Sequence, residues 1–237
     1  MISTKSLFLN LLQMSRDREV IAIDKIAEQI KLPKQNIIQK LSEKLEGVIK
    51  IKGGSIYIPK KQKMKLVNKA ISLGVNSEQI IETLHWREFE NFCLIVLDHN
   101  DYETIQNFHF SLNKRRYEID VIGIQKHLIF AIDAKKWKAG CSSALKKMVN
   151  NQINRVKAFT KSLQKHKIRL KLNLKLWHHI SIIPMIVTSK EYEIKIFKRV
   201  PIIPFCKLNQ FINEIYRYFG MILYFSAKLP IQKTLFP

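Results

Sequence analysis

The sequence predicts a mixed α/β fold with a central sheet flanked by helices, preceded by a small unit of three helices and a hairpin. Three apolar, β-branched runs between residues 104 and 135 predict the sheet, followed by a long amphipathic helix pattern and another buried strand. A Gly-Gly pair between two short β-branched runs predicts the hairpin. The 237 residues are 46% hydrophobic, which suits one large domain or two small ones with real cores.

The first sixty residues are expected to fold together. Helical patterns cover residues 6–14 and 25–30, with Asp24 as the predicted N-cap of the second helix, and a third helix begins near Pro33. Strands are predicted on both sides of Gly53-Gly54. Three helices followed by a hairpin is the order of a winged helix-turn-helix. This domain is predicted over residues 1–59, with a helical connector over 60–84.

In a winged helix the third helix enters the major groove of DNA. Here that helix and the hairpin carry donor side chains that suit base edges and phosphates. They are Lys34, Gln35, Asn36, Gln39, Lys40, Lys44 and Lys52. Winged helices also serve protein contacts or dimerisation, but the charge of this chain favours DNA.

The charge of the chain is strongly basic. Lys and Arg number 41 against 19 Asp and Glu, a formal net charge of +22. This balance predicts a polyanionic partner, with nucleic acid ahead of an anionic membrane. A lysine-rich genome composition is the alternative explanation, although acidic residues would normally rise with lysine on a soluble surface.

The cysteine pattern predicts a reduced, cytoplasmic protein. Cys93, Cys141 and Cys206 are scattered and form no CxxC motif, which argues against a disulfide scaffold or a structural zinc site. No targeting or membrane segment is expected, because Glu214 and Arg217 interrupt the apolar stretch over residues 211–225.

A second domain is predicted over residues 85–237. Helices are expected over 86–97, 143–164 and 208–219, and strands over 104–112, 116–124, 128–135, 180–188 and 193–197. A strict basic–apolar alternation over 167–176 predicts a further half-buried strand. Its basic face suits either a phosphate backbone or an edge strand that blocks aggregation.

Two of these strands carry aspartates in apolar surroundings. A turn centred between Lys126 and His127 would place Asp120 opposite Asp133, with Cβ atoms about 4.5–5.5 Å apart. Carboxylates so close repel one another unless a cation lies between them. Mg²⁺ prefers such hard oxygen ligands, and Mn²⁺ is a substitute.

A third carboxylate is expected from the preceding helix. Glu90 is the best candidate and Glu88 the alternative. Lys135 shares the strand face of Asp133, where it could orient or help deprotonate an attacking water. The metal would lower the pKa of that water and stabilise charge on a phosphate.

Glu90, Asp120 and Asp133-Ala134-Lys135 resemble the PD-(D/E)xK nuclease superfamily, most closely the Mrr-type restriction endonucleases and the archaeal Holliday junction resolvases. The resemblance covers about residues 86–211 and implies a restriction-endonuclease-like fold. It also implies a Mg²⁺-dependent endonuclease that cleaves DNA, with Glu90, Asp120 and Asp133 as metal ligands and Lys135 as the catalytic lysine. Gln152 matches a glutamine that many members place near the site.

The match has departures and rivals. Ile119 stands where the motif has proline, and the usual glycine is absent near Trp86, which leaves the choice between Glu90 and Glu88 open. Members often act as dimers, because cutting both strands takes two sites, so a homodimer is one option. The alternatives are a non-catalytic DNA-binding regulator on a nuclease-like scaffold and an RNA-cleaving nuclease.

Overall fold

A computed structural model describes residues 4–136, 142–174 and 178–229. The chain divides into two compact units, Met1–Phe89 and Glu90–Pro237. Among the helices in these ranges, none combines the length and apolar character needed to cross a membrane.

The N-terminal unit contains short helices and a small sheet. Its elements are α1 (Thr4–Met14), β1 (Val20–Ala22), α2 (Ile23–Ile30), α3 (Lys34–Leu45), β2 (Lys50–Lys52), β3 (Ser55–Tyr57), α4 (Lys60–Ser72) and α5 (Ser77–Thr83). The strands form an antiparallel sheet in the order β1-β3-β2. Gly53 and Gly54 have φ angles of 55° and 71°, which a tight two-residue hairpin turn requires. The predicted three helices and hairpin are therefore present, together with a strand, β1, that was not predicted.

The second helix begins earlier than predicted. Its N-cap residue is Ala22, which makes no side-chain cap, so the prediction of Asp24 as the cap was wrong. Asp24 instead lies in the first turn, where a negative charge is favourable at the helix N-terminus, and its carboxylate pairs with Lys34.

The C-terminal unit is a mixed α/β structure. Helix α6 (Trp86–Asp98) enters it from the N-terminal unit. It is followed by β4 (Glu103–Leu112), β5 (Arg115–Gln125), β6 (Leu128–Lys135), α7 (Ser142–Ser162), α8 (His166–Lys171), β7 (His179–Thr188), β8 (Ile196–Phe197), β9 (Val200–Pro204), α9 (Phe205–Asn213), α10 (Ile215–Tyr218) and β10 (Phe225–Lys228).

The strands form the predicted mixed central sheet, with seven strands in the main order β4-β5-β6-β7-β9-β8 and β10 paired with β7. Strands β4, β5 and β6 form an antiparallel meander, whereas β6, β7 and β9 run parallel. Helix α7 packs on the sheet through buried side chains such as Val156 and Phe159. On α6, Leu97 lies against Gly123 of β5. Helices thus hold the strands that carry the aspartates.

The register between β5 and β6 is the one predicted. Val121 lies opposite Ile132 and Gln125 opposite Leu128. Asp120 and Asp133 are the next residues along this register, so the hairpin brings their strand positions together.

The described part of the alternating segment, residues 167–174, is not a strand. Residues His166–Lys171 form helix α8, and 175–177 lie outside the described residues. The prediction failed because the same pattern also has helical spacing: Ile168 and Leu172 are both buried and lie four residues apart.

The C-terminal end also differs from the prediction. The strand predicted over 193–197 is reduced to β8, and β9 and β10 were not predicted. The closing helix is two helices, because the backbone leaves the helical conformation at Glu214, with φ −99° and ψ 9°. Pro204 precedes the first of these helices and fixes its start at Phe205.

Candidate active site

Two aspartates and a lysine lie together at the end of the β5–β6 hairpin away from its turn. The Nζ atom of Lys135 lies 2.9 Å from Oδ1 of Asp133 and 3.2 Å from Oδ2 of Asp120. The backbone N–H of Ala134 also donates to Oδ2 of Asp120, at 3.1 Å. One ammonium group therefore bridges two carboxylates from neighbouring strands.

Asp133 is the most enclosed acid of this group, with 2% of its surface exposed. Arg155 of α7 approaches the same Oδ1 atom at 3.2 Å. Two cations thus compensate the charge of the buried Oδ1 atom. The carboxylate is also a hard oxygen donor of the kind that Mg²⁺ selects.

Glu90 and Glu88 have different surroundings although both lie on α6. Glu90 is 3% exposed and accepts a hydrogen bond from Nε2 of Gln106 at 3.3 Å. Burial, together with the charge of nearby Asp120, raises the pKa of Glu90 to about 7. Glu88 instead pairs with Lys63 at 2.9 Å and accepts from the backbone N–H of His85 at 2.7 Å, both within the N-terminal unit. The structure thus brings Glu90, and not Glu88, towards the aspartates.

The charges in this cluster are mutually dependent. Burial and the adjacent Asp133 raise the pKa of Asp120 to about 6, although Lys135 acts in the opposite direction. Burial alone would lower the pKa of Lys135, but Asp133 and Asp120 more than offset it, so its pKa is raised. Lys135 is therefore a charged donor at neutral pH as long as both carboxylates surround it.

Gln152 anchors helix α7 to the strand beneath it. Its side chain is fully buried, and Nε2 donates to the carbonyl oxygen of Ala131 at 2.8 Å. Its Oε1 accepts from Arg155 at 2.5 Å. Gln152 thus acts on the strand backbone and on Arg155, which in turn contacts Asp133.

Arg155 is a site residue that the sequence did not reveal. It contacts both Asp133 and Gln152. The available signal was its position three residues after Gln152, which puts both side chains on one helix face. The spacing alone does not show that this face of α7 is the one turned towards β6.

The three predicted metal ligands do not form a compact set. Within residues 4–136, 142–174 and 178–229, no three Asp, Glu, His or Cys side chains are grouped closely enough to hold a metal ion. Asp120 and Asp133 converge on Lys135, while Glu90 acts on Asp120 through its charge. The aspartate pair thus fits a cation, with Glu90 held near.

A cavity of about 440 Å³ opens beside Asp120, within the size range of small-ligand sites. Most of its lining is basic or polar. The lining residues are Arg115, Arg116, Tyr117, Glu118, Asp120, Asn151, Asn154 and Arg155. Arginines this close to the carboxylates are suited to phosphate groups.

The predicted DNA-binding residues of the N-terminal unit lie on α3 and β2. All are exposed except Lys40, which is partly buried, while Ile37 and Leu41 of the same helix point into the core. Two of the polar side chains have partners: Lys34 pairs with Asp24, and Gln39 donates to Glu43 at 3.0 Å. Lys44 and Lys52 have no acidic partner in the part of the chain that the structure describes.

Comparison with known protein families gives a match for the central segment. Residues 82–189 match the profile of NERD, the nuclease-related domain, a PD-(D/E)xK-like family. The match covers Glu90, Asp120, Asp133, Lys135 and Gln152, and it indicates nuclease function for this segment.

The comparisons with solved structures and with curated proteins are less informative about this chain. The crystal structure of protein VC1899 from Vibrio cholerae is similar at 13% identity and a TM-score of 0.41, covering 92% of this chain and 52% of that one. The chain thus spans about half the length of that solved protein. No curated protein gives a significant match.

Proposed function

We propose that this protein is a metal-dependent endonuclease that hydrolyses phosphodiester bonds in DNA. The observation that carries the proposal is the bridge of Lys135 between Asp120 and Asp133, at 3.2 and 2.9 Å, inside the segment that matches a nuclease-related domain. The net charge of +22 and the arginine-lined cavity beside Asp120 support a polyanionic substrate.

Asp120 and Asp133 would hold Mg²⁺, or Mn²⁺ in its place, with Glu90 as the third carboxylate. The two apposed carboxylates are the hard oxygen donors that Mg²⁺ selects, which supports this assignment. When bound, the ion would polarise the phosphate and lower the pKa of a coordinated water.

The chain's own residues would bind the substrate and handle the proton. Nζ of Lys135, protonated between its carboxylates, would orient the attacking water or donate to a phosphate oxygen. Glu90, whose pKa is raised to about 7 in the metal-free protein, would release its proton when it binds the metal, since a carboxylate ligand is deprotonated. Arg155 would bind the phosphate, and Gln152 would keep Arg155 and β6 in position.

The N-terminal unit would dock the enzyme on DNA as a winged helix. The order of its three helices and hairpin supports this role, as do the exposed polar side chains of α3. Such an enzyme would work in the cytoplasm, the reducing compartment that the cysteine pattern predicts. A homodimer would carry two active sites and could cut both strands in one binding event. The number of strands cut per binding event would therefore test for it.

A cleavage screen tests the catalytic proposal. Plasmid, branched, mismatched and single-stranded DNA, together with RNA, would be incubated with the protein and titrated Mg²⁺ or Mn²⁺. We expect DNA cleavage that requires the metal, is abolished by Asp133→Asn, and is retained in Asp101→Asn, a control at an exposed aspartate. DNA binding by the Asp133 variant should persist. A protein that never cuts DNA under any of these conditions, or that cuts RNA alone, contradicts the proposal.

A binding comparison tests the docking role separately. Lys44→Gln and Lys52→Gln should each weaken duplex binding and reduce its salt dependence, because each removes a phosphate contact. Lys69→Gln, at an exposed lysine on α4, is the matched control. Equal affinities for all three variants would remove the N-terminal unit from the proposal without affecting the catalytic site.

A further inference from the structure

A second cavity adjoins the first in the C-terminal unit. It has a volume of about 660 Å³ and shares Arg116 and Tyr117 with the cavity beside Asp120. The two cavities are therefore neighbours, and together they extend from Asp120 to helix α8. We call them the basic groove, and its distal part is lined by Phe110, Arg116, Tyr117, Lys165, Lys167 and Lys171.

The lysines of the basic groove are positioned to contact an anionic chain. Lys167 and Lys171 are exposed and four residues apart on α8, so they lie on one helix face about 6 Å apart along its axis. Neither has an acidic partner within the described ranges. Lys165 is held across the groove, since its Nζ donates to the carbonyl oxygen of Ser111 at 3.1 Å. Cations without protein counter-charges are available to phosphates.

An aromatic side chain stands where the two cavities meet. The ring of Tyr117 stacks on Phe110, with centroids 5.1 Å apart and planes inclined by 10°. The guanidinium of Arg115 lies 5.2 Å from the centroid of the same ring. The stack and the cation hold Tyr117 in place at the groove wall. Basic grooves combined with aromatic side chains are typical of proteins that bind single-stranded nucleic acid.

We propose that the basic groove binds a single-stranded stretch of nucleic acid and leads it to Asp120 and Lys135. This inference rests on the proposed function, because that function supplies the cleavage of the bound strand. It narrows the substrate to DNA with a single-stranded end, flap or branch.

Binding without metal tests the groove independently of cleavage. The protein in EDTA would be titrated, by fluorescence anisotropy, into a labelled DNA single strand of about 12 nucleotides and into a DNA duplex of the same length. Lys167→Gln and Lys171→Gln should each weaken single-strand binding and reduce the slope of log K against log salt by about 0.7. Duplex binding should be unchanged. Lys126→Gln, at the exposed hairpin turn away from the aspartates, is the control.

The aromatic contact has its own pair of variants. Tyr117→Phe should keep single-strand affinity, whereas Tyr117→Leu should weaken it, because loss of the stack on Phe110 and of the Arg115 contact alters the groove wall. An unchanged single-strand affinity in the lysine variants overturns the inference, and so does an equal loss for the duplex. Single-strand binding in EDTA does not require cleavage, and cleavage does not require binding in the basic groove. The binding and cleavage experiments therefore test the two proposals separately.

Discussion

Lys135 and Asp120 face one another across two neighbouring strands, with Nζ 3.2 Å from Oδ2. Because Asp133 lies 2.9 Å from the same ammonium group, one positive charge is shared by two carboxylates. Arg155 adds a second cation on the side of α7, at 3.2 Å from Asp133. The protein thus supplies, from its own side chains, the positive charge that two apposed carboxylates require.

Removing the ammonium should therefore destabilise the metal-free protein. Lys135→Met leaves Asp120 next to Asp133 with less compensation, and we expect a loss of about 1–2 kcal/mol in the free energy of unfolding, because the lysine is partly exposed. Mg²⁺ should then stabilise the variant more than the wild type, since a cation can replace the missing charge. Thermal unfolding at several Mg²⁺ concentrations measures both effects. Lys126→Met is the control, and an identical response to Mg²⁺ in variant and wild type contradicts the prediction.

Glu90 should make the stability of the metal-free protein depend on pH. Its pKa is about 7 in the folded protein against an ordinary value of 4.5. Between these values the folded state holds a proton that the unfolded state has released, so this contribution to stability falls as pH rises from 4.5 to about 7. Glu90→Gln keeps the neutral form and should flatten this part of the profile.

The free energy of unfolding, measured with urea at about pH 5, 6, 7 and 8, gives this profile. We expect Glu90→Gln to be more stable than the wild type at about pH 8 and to have a similar stability at about pH 5. Asp120, with a pKa raised to about 6, adds a decline of the same sign that remains in the variant. Glu103→Gln, at an exposed position on β4, should leave the profile unchanged. A wild type that becomes more stable across this range would be opposite in sign to the prediction.

The sheet and the aspartate pair could be predicted because both depend on local pattern. Apolar, β-branched runs mark β5 and β6, and the turn at Lys126 and His127 then sets which residues lie opposite. Asp120, Asp133 and Lys135 follow from that register without knowledge of any helix. Their shared strand face was therefore accessible from the sequence, whereas the bridge of Lys135 between the two carboxylates was not expected, because a metal ion was predicted there.

Other parts depend on packing that no local pattern encodes. Arg155 joins the site because α7 turns one particular face towards β6, and Gln106 contacts Glu90 because β4 lies beside β5. The segment around Ile168 was misassigned because a short alternation and a helical spacing coincide there. These features follow from the arrangement of elements in space and so required the structure.

Gln152 should contribute to stability through its hydrogen bonds. Replacing it with leucine keeps the volume but removes the donor to Ala131 and the acceptor for Arg155. A buried carbonyl without its donor costs about 1–3 kcal/mol, so Gln152→Leu should lower the free energy of unfolding by that amount. Urea unfolding measures it, with Gln164→Leu as a matched control, because Gln164 is exposed and its bond to Lys228 is readily replaced by water. Equal stability of both variants would mean that Gln152 has no structural role.

The contact between Gly123 and Leu97 should control how closely α6 approaches the sheet. A Cβ atom on Gly123 would lie 2.7 Å from Cδ2 and 3.0 Å from Cδ1 of Leu97, whose side chain is fully buried. Gly123→Ala should therefore destabilise the protein by about 1–3 kcal/mol, as overpacked cores do. Because Glu90 lies on the same helix, a displaced α6 should also reduce metal-dependent cleavage.

A second substitution separates overpacking from other causes. Leu97→Ala alone should cost about 2–5 kcal/mol through the cavity that it leaves. In the double variant the alanine methyl at position 123 enters that space, so the combined loss should be smaller than the two single losses together. Gly220→Ala is the control, since a Cβ atom there meets nothing within 4 Å. Additive losses in the double variant, or a neutral Gly123→Ala, would show that α6 is not positioned by this contact.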